Sequence, residues 1–276
     1  MKKTALFLAL CLCALALFGC RQDEGKPGQY LYATALTYSG EDDPKAYLEI
    51  ATRSQKLLSL LEEKAGVFVM NAYNFQDVDG EGTPLWEMNR RDLPAEIDPA
   101  GHCVCVDRNY LDLHGIKAAG GTPASESLVI DDRTQNILVP EKFKDREQDI
   151  IKAYRARFYF EKVTAENSYN EDAGLSERSD LTEEELTVNI IYAEDGQSYP
   201  VYREDIVCEN GSITDPVVQV YTGNIHCNYA HSNLSQWTYF YYDETDPEKA
   251  YEELQPYVEQ CGAEESLQSV KQIQQK

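Results

Sequence analysis

The sequence predicts an α+β protein in which amphipathic helices pack on mixed or antiparallel sheets. Short runs rich in aromatic and β-branched residues recur along the chain, and helical stripes lie between them. Polar turns containing Gly or Pro separate the two kinds of segment. We expect helices at 44–65, 141–160 and 247–260, with most other apolar runs as strands. Ferredoxin-like β-α-β layers are one arrangement of such elements.

The first predicted elements form a β-α-β unit. The stretch QYLYATALTY (29–38) is predicted as a strand because aromatic, β-branched and small residues dominate it. Asp43 and Pro44 follow as an N-capping acid and a proline at the first helical position. An apolar stripe at helical spacing then continues to Gly66, and VFVMNAYNF (67–75) is predicted as the second strand.

The end of the chain repeats this pattern. QWTYFYYDETDPEKAYEEL contains an aromatic strand, an acidic turn, Asp-Pro and a helical start, as does YLYATALTYSGEDDPKAYLEI near the beginning. Two such units would pair as the halves of a ferredoxin-like layer, a sheet with helices on one face. Chance is the alternative, because Asp-Pro is a common helix start.

The middle of the chain is predicted as strands, one long helix and a polar loop. ESLVIDDRTQNILVP has two apolar runs about a polar turn, which predicts a hairpin. The helix at 141–160 has large apolar side chains on one face: Phe143, Ile150, Tyr154 and Phe158. The acidic segment at 164–182 is predicted as a loop at which the ectodomain would subdivide.

Four strand-like runs follow this loop: ELTVNIIYA, YPVYRED, PVVQVYTG and QWTYFYYD. Before the first of them, LTEEEL fits a capping box, in which the Thr182 and Glu185 side chains each bond to a backbone amide of the other residue. This is a more specific interpretation of the acidic cluster than an acid–base pair.

The N-terminus has the pattern of a bacterial lipoprotein signal. Lys2 and Lys3 precede an apolar run at 4–18, which is shorter than the roughly 20 residues that span a bilayer. The run ends in Leu-Phe-Gly-Cys, which resembles a lipobox with Cys20 as the lipidated residue. An ordinary cleaved signal peptide and an uncleaved anchor are the alternatives.

These features divide the chain into a signal peptide (1–19), a lipidated spacer (20–29), an α+β ectodomain (30–262) and a C-terminal tail (263–276). We expect an exported protein that is held to the outer face of the cell membrane by acyl chains such as palmitate on Cys20.

The charge balance excludes one class of partner. The chain has 48 acidic and 25 basic residues and a formal net charge of −23. Such a surface repels phosphate backbones, so we expect no nucleic acid as a partner. It also repels anionic headgroups, so attachment to the membrane depends on the lipid.

Five cysteines follow the lipidation site, an odd number for an exported protein. Cys208 and Cys227 flank a turn region that contains Gly and are the candidate disulfide pair. Cys103 and Cys105 would share one face of a strand. The alternative for the cysteines is that they are buried thiols that pack as small apolar residues.

Two sequence patterns raise the question of a metal site. GHCVC and NIHCNY each place His beside Cys, but the paired CxxC spacing of structural zinc sites is missing. DVDGEG (77–82) follows the start of a calcium loop, yet Met88 occupies the position of the bidentate Glu. We therefore expect no metal, and an acidic surface turn at 77–82.

The sequence contains no GxSxG, HExxH or SxxK motif and no Gly-rich phosphate loop. The histidines lie in dissimilar contexts, so the pattern assigns no general base: His102, His114, His226 and His231. We expect a non-enzymatic protein with no catalytic residue and no cofactor.

Several segments resemble the extracellular domain of bacteriocin-associated integral membrane proteins, a branch of the MacB/FtsX-type ABC-transporter permeases. The segments are YLYATALTYSGEDDPKAYLEI, VCVDRNYLDLHGI, NILVPEKFKDREQDIIKAY, PVVQVYTGN and DPEKAYEELQPYVEQCG. They occur in the family's order and cover most of residues 30–262. The resemblance implies a MacB-like ectodomain, here in a chain with a lipobox and with neither pore-forming helices nor an ATPase motif.

The resemblance implies an ectodomain module that acts with an ABC-type permease or envelope complex, in export of or immunity to a peptide such as a bacteriocin. A solute-binding lipoprotein of an importer is the first alternative, although that class is built from two repeated α/β lobes. A surface hydrolase is the second, and the missing nucleophile motifs count against it.

Overall fold

The structure is a computed structural model, and it describes residues 28–37 and 42–274. In this part of the chain, an eight-stranded mixed sheet carries the main helices, and a two-stranded sheet is added to it. The α+β class predicted from the sequence is confirmed.

The large sheet has the strand order β10-β1-β9-β2-β3-β8-β4-β5, and β6 pairs with β7. The strands in the described residues are β1 (Tyr30–Leu36), β2 (Phe68–Asn71), β3 (Cys103–Val106), β4 (Thr134–Pro140), β5 (Thr187–Ala193), β6 (Ser198–Pro200), β7 (Ser212–Thr214), β8 (Val217–Val220), β9 (Thr238–Tyr242) and β10 (Leu267–Gln272). Strands β3 and β8 are parallel, as are β4 and β5, and the other paired neighbours are antiparallel.

The helices of the structure include the three that the sequence predicts. The α-helices in the described residues are α1 (Pro44–Lys64), α2 (Leu85–Met88), α3 (Arg108–Leu113), α4 (Glu147–Tyr159), α5 (Ala165–Asp172), α6 (Cys227–Gln236) and α7 (Pro247–Cys261). A π-helical turn, Phe160–Thr164, joins α4 to α5, and a 3₁₀ segment, Glu141–Arg146, precedes α4. Helices α1, α4 and α7 correspond to the predictions at 44–65, 141–160 and 247–260.

One half of the sheet has the ferredoxin-like arrangement. The units β1-α1-β2 and β9-α7-β10 interlock in the order β10-β1-β9-β2, so each unit contributes two parallel strands with a strand of the other between them. The strand, Asp-Pro and helix pattern that both ends of the sequence share therefore reflects two β-α-β units of one sheet. Both helices begin as predicted: Asp43 Oδ1 accepts the Lys45 N–H at 2.9 Å, and Asp246 Oδ1 accepts the Glu248 N–H at 3.0 Å.

The other half of the sheet is buried on both faces. All seven residues of β4 and all four of β8 are buried. Ile150, Tyr154 and Phe158 of α4 are also buried, as the helical stripe predicts. Large apolar residues in this half therefore pack in the core. The candidate functional surfaces are the outer faces of the helices and the loops.

Tyrosine fills much of the core. Five tyrosines are among the largest fully buried side chains: Tyr32, Tyr110, Tyr154, Tyr199 and Tyr239. Phe68 and Tyr239 pair across β2 and β9, with ring centroids 5.9 Å apart. The abundance of Tyr in the sequence is thus explained in good part by packing and is weak evidence of an interface.

The predicted hairpin at 126–140 is wrong. Only β4 forms a strand, and it pairs with β8 and β5. The preceding run is held by one side chain instead: Asn136 Oδ1 accepts the Val129 N–H, and Asn136 Nδ2 donates to the Val129 carbonyl, both at 2.8 Å. An amide side chain that satisfies both backbone groups of Val129 replaces a strand ladder there.

The polar segment at 164–182 is helical as far as Asp172, so the predicted loop is wrong over its first half. Strands β4 and β5, on either side of the segment, pair in parallel within one sheet. The capping box at its end is confirmed, with both the Thr182 and the Glu185 contacts present.

Further elements also differ from the sequence analysis, among them YPVYRED, which is a strand only to Pro200. The run VFVMNAYNF is a strand only to Asn71, and its last residues form a 3₁₀ turn. The tail predicted from 263 contains β10, the edge strand that pairs with β1. Helix α6 was not predicted, because its polar sequence CNYAHSNLSQ lacks a clear apolar stripe.

Candidate functional site

An open groove of about 690 Å³ lies between α1, α5 and the loop that leads into α6. We call it the α1 groove. Its lining residues are Lys45, Leu48, Glu49, Thr52, Arg53, Gln55, Lys56, Asp132, Lys162, Glu166, Asn170, Leu175 and 223–227. This volume lies within the roughly 300–1,000 Å³ that is usual for ligand sites.

The π-helical turn fixes one wall of the α1 groove. The Glu161 backbone and the Lys162 side chain of this turn contact the loop before α6. The Glu161 carbonyl accepts the His226 N–H at 3.0 Å, and Lys162 Nζ donates to the Asn224 carbonyl at 2.9 Å. Lys162 also pairs with Asp132 at 2.6 Å. Such π-turns occur frequently at functional sites.

Helix α1 holds the same loop from the opposite side. Gln55 Nε2 donates to the carbonyls of Gly223 and Ile225, at 3.1 and 3.2 Å. Gly223 has a φ of +79°, a conformation that favours glycine, and this allows the sharp turn after β8. The loop is therefore fixed by contacts on both sides, so the floor of the groove is preorganised.

The floor of the α1 groove contains His226 and Cys227 at the start of α6, and Asn228 follows them in the helix. Cys227 Sγ lies 3.7 Å from His226 Nε2, and His226 Nδ1 lies 2.6 Å from Asn228 Oδ1. The Tyr169 ring stacks on the His226 ring, with centroids 4.9 Å apart and planes at 16°. The imidazole is thus held at both nitrogens and on one face.

Burial sets the charge state of this cluster. It lowers the pKa of His226 below its ordinary value, partly opposed by the Asn228 contact and by Glu166. It raises the pKa of Cys227, against the effect of Thr52 and of the N–H groups of Cys227 and Asn228. At neutral pH the cluster is an uncharged thiol beside an uncharged imidazole.

The charge of the groove differs from that of the whole chain. Four cations line it, Lys45, Arg53, Lys56 and Lys162, together with three carboxylates, Glu49, Asp132 and Glu166. The chain as a whole has almost two acidic residues for each basic one. The α1 groove is therefore a nearly balanced patch on an acidic protein, suited to a ligand that carries both signs of charge.

The site residues predicted from sequence are not brought together. Cys20 lies outside the described residues. Cys208 and Cys227 are both free thiols, so the disulfide is not formed in this structure. Cys208 instead lines a separate hollow of about 220 Å³ with Phe75 and His102. The two thiols thus belong to different surfaces of the molecule.

The two sequence patterns that raise the question of a metal site, the loop at 77–82 and the His-Cys pairs, lie in different local structures. The carboxylates at 77–82 accept hydrogen bonds from their own loop: Asp77 Oδ1 from the Gly80 N–H at 2.8 Å, and Asp79 Oδ1 from the Glu81 N–H at 2.9 Å. Cys103 is buried, which raises the pKa of its thiol to about 11. Over residues 28–37 and 42–274, no three His, Cys, Asp or Glu side chains are arranged to hold a metal ion.

Sequence reasoning missed the cluster at 226–228. In the sequence, the stretch NIHCNY shows only a His beside a Cys. The available signal was a Cys at the start of a helix with polar neighbours, but α6 itself was not predicted. The partners from α5 and the π-turn are also distant in sequence, so their contacts could not be inferred.

No protein-family model, curated protein or solved structure matches this chain. The resemblance to ectodomains of MacB/FtsX-type permeases therefore stays a prediction. Within the described residues, no helix is both long enough and apolar enough to cross a membrane.

Proposed function

We propose that this chain is an exported, lipid-tethered binding module whose α1 groove takes a peptide. In this proposal the module presents the peptide to a membrane transporter or envelope complex. The observation that carries it is the α1 groove itself, a preorganised cleft with both signs of charge on an otherwise acidic surface.

The size and charge of the groove favour a short extended peptide. Lys45 and Lys56 lie eleven residues apart on α1, which corresponds to about 16 Å along a helix. That distance matches about five residues of extended chain. A peptide has a carboxylate for the cations of the groove and an ammonium for its carboxylates, whereas a simple anion would use only the cations.

The architecture gives less support to a solute-binding protein of an importer. Such proteins are expected to enclose their ligand between two repeated α/β lobes. Here the lining residues come from α1, α5, the π-helical turn and loops rather than from two lobes, and the groove is open. An open groove suits a ligand that is handed to a partner at the membrane.

We expect Lys56→Glu to weaken peptide binding by about tenfold, because it reverses one charge at the rim of the groove. The measurement is fluorescence polarisation of the full chain in detergent with a pool of labelled pentapeptides that have free carboxyl ends. Lys152→Glu on α4 is the matched control, since it makes the same charge change at an exposed helical position outside the groove. Equal losses in both variants, or no binding by the wild type, would contradict the proposal.

The tether is tested separately. We expect Cys20→Ala to abolish incorporation of radiolabelled palmitate and to release the protein from membranes, because Cys20 is the cysteine of the lipobox. A diacyl anchor also raises the effective concentration of the module toward membrane partners. Labelling of the variant as strong as that of the wild type would show that the anchor is elsewhere.

A further inference from the structure

We propose that Cys227 is a nucleophile for acyl transfer, with His226 as its general base and Asn228 as the residue that orients the imidazole. This activity goes beyond peptide binding and is tested independently of it. It would add a reaction at the floor of a groove for which binding alone has been proposed.

The contacts assign the three roles. His226 Nδ1 lies 2.6 Å from Asn228 Oδ1 and 3.4 Å from the Asn228 backbone N, and because an amide oxygen can only accept, we assign the proton to Nδ1. The shorter contact decides the tautomer and leaves the Nε2 lone pair facing Cys227 Sγ at 3.7 Å. A nucleophile, a base and a group that orients the base are the three parts of a cysteine catalytic triad.

The start of a helix partly offsets the burial that raises the pKa of the Cys227 thiol. Cys227 is the first residue of the ten-residue helix α6, and the backbone N–H groups of Cys227 and Asn228 lower the pKa of its thiol against the larger effect of burial. The positive end of the helix stabilises both a thiolate and the oxyanion of a tetrahedral intermediate. Cys227 is 8% exposed, and it forms part of the groove floor. A small acyl group entering the groove would meet the sulfur from that side.

The step balances without an added oxidant or reductant. His226 Nε2 takes the proton of the Cys227 thiol while the sulfur attacks the acyl carbon of an ester or thioester. The C–S bond forms, the bond to the leaving alcohol or thiol breaks, and that group leaves with the proton from His226. Water, deprotonated by the same imidazole, then hydrolyses the thioester and restores the thiol.

The groove also indicates the substrate class. Lys45 and Lys56 are exposed at the rim, so an acyl donor with a free carboxylate is favoured over a neutral one. We therefore expect p-nitrophenyl glutarate to acylate the protein faster than p-nitrophenyl acetate. The Lys56→Glu variant is expected to lose this preference for the charged ester.

The test uses the full chain in detergent with these two esters. We expect a burst of about one equivalent of p-nitrophenolate per chain and the matching acyl mass on the peptide that contains Cys227. Cys227→Ser is expected to abolish both signals, and His226→Gln to slow acylation by about 100-fold or more. Cys261→Ser, on α7 and outside the groove, is the control and should react as the wild type does.

Two readouts keep the proposal falsifiable if a variant fails to fold. In the wild type, the acid limb of the acylation rate is expected below pH 6.5, because burial keeps His226 neutral at lower pH than usual. Asn228→Ala is expected to lower the rate with the circular dichroism spectrum unchanged. No acyl group on Cys227, a rate insensitive to His226→Gln, or an acid limb at or above pH 6.5 would overturn the proposal.

Discussion

Between pH 5 and pH 7, wild-type protein is expected to lose stability relative to the Asp107→Asn variant as pH rises, by roughly 1 kcal/mol per pH unit. Asp107 caps α3, and its carboxyl group faces that of Glu62 on α1 in a buried site. Burial raises the pKa of both groups, and the neighbouring Asp107 carboxylate raises that of Glu62 further.

The sign follows from the direction of the shift. Below the ordinary aspartate pKa of 3.8, Asp107 is protonated in both the folded and the unfolded state. The stabilisation that the protonated Asp107 gives the folded state is then fully present. Above that pH the unfolded chain releases the proton while the folded chain keeps it, so the free energy of unfolding falls as pH rises. The decline ends once the folded carboxyl group has also ionised.

The Asp107→Asn substitution is expected to keep the cap, because an amide oxygen can still accept the Tyr110 N–H, which lies at 2.8 Å from Asp107 Oδ1. Comparing the two proteins by urea denaturation at each pH cancels the histidines, of which His114 has its pKa lowered to about 4 by burial. Asp246→Asn is the matched control, since it changes another N-capping aspartate that is exposed. A pH-independent difference between wild type and Asp107→Asn would contradict the buried pair.

Glu161→Ala is expected to lower the free energy of unfolding by about 2–3 kcal/mol. The Glu161 side chain is 3% exposed, pairs with Arg157 at 2.5 Å and accepts a hydrogen bond from Gln219. Removing it leaves the buried Gln219 amide with only a longer contact to Gln135 Oε1 at 3.4 Å, and it leaves a guanidinium partly cut off from water. Because the same π-turn holds His226, peptide binding in the α1 groove should weaken as well.

The control for this prediction is Glu171→Ala on α5. Glu171 also pairs with an arginine, Arg178, at 2.6 Å, but both side chains are more than half exposed. Exposed pairs contribute at most about 1 kcal/mol. Chemical denaturation of the three proteins measures the difference. Equal effects of the two substitutions would show that burial of Glu161 is not what makes it important.

Local signals predicted the elements that have a strong stripe or cap. Asp43-Pro44 and Asp246-Pro247 start α1 and α7, and the aromatic runs before them are β1 and β9. Because both units combine strand, cap and helix, the ferredoxin-like half could be anticipated. The hairpin failed because pairing of β4 with β8 and β5 depends on residues far along the chain.

The groove could not be predicted, since its walls come from distant segments. The π-turn has no distinct sequence pattern, and α6 lacks the apolar periodicity that marks a helix. Of the residues singled out in advance, Cys227 does lie in the groove, but as a free thiol beside His226. Its partner in the predicted disulfide lies on another surface.

Hydrogen–deuterium exchange of the full chain, with and without the tightest pentapeptide from the pool, tests the central claim most directly. We expect the peptide to slow exchange in loop 222–227, in the first turns of α6 and on α5, the backbone segments that border the α1 groove. Slower exchange confined to the β6–β7 sheet, with loop 222–227 unchanged, would contradict the assignment of the groove as the binding site.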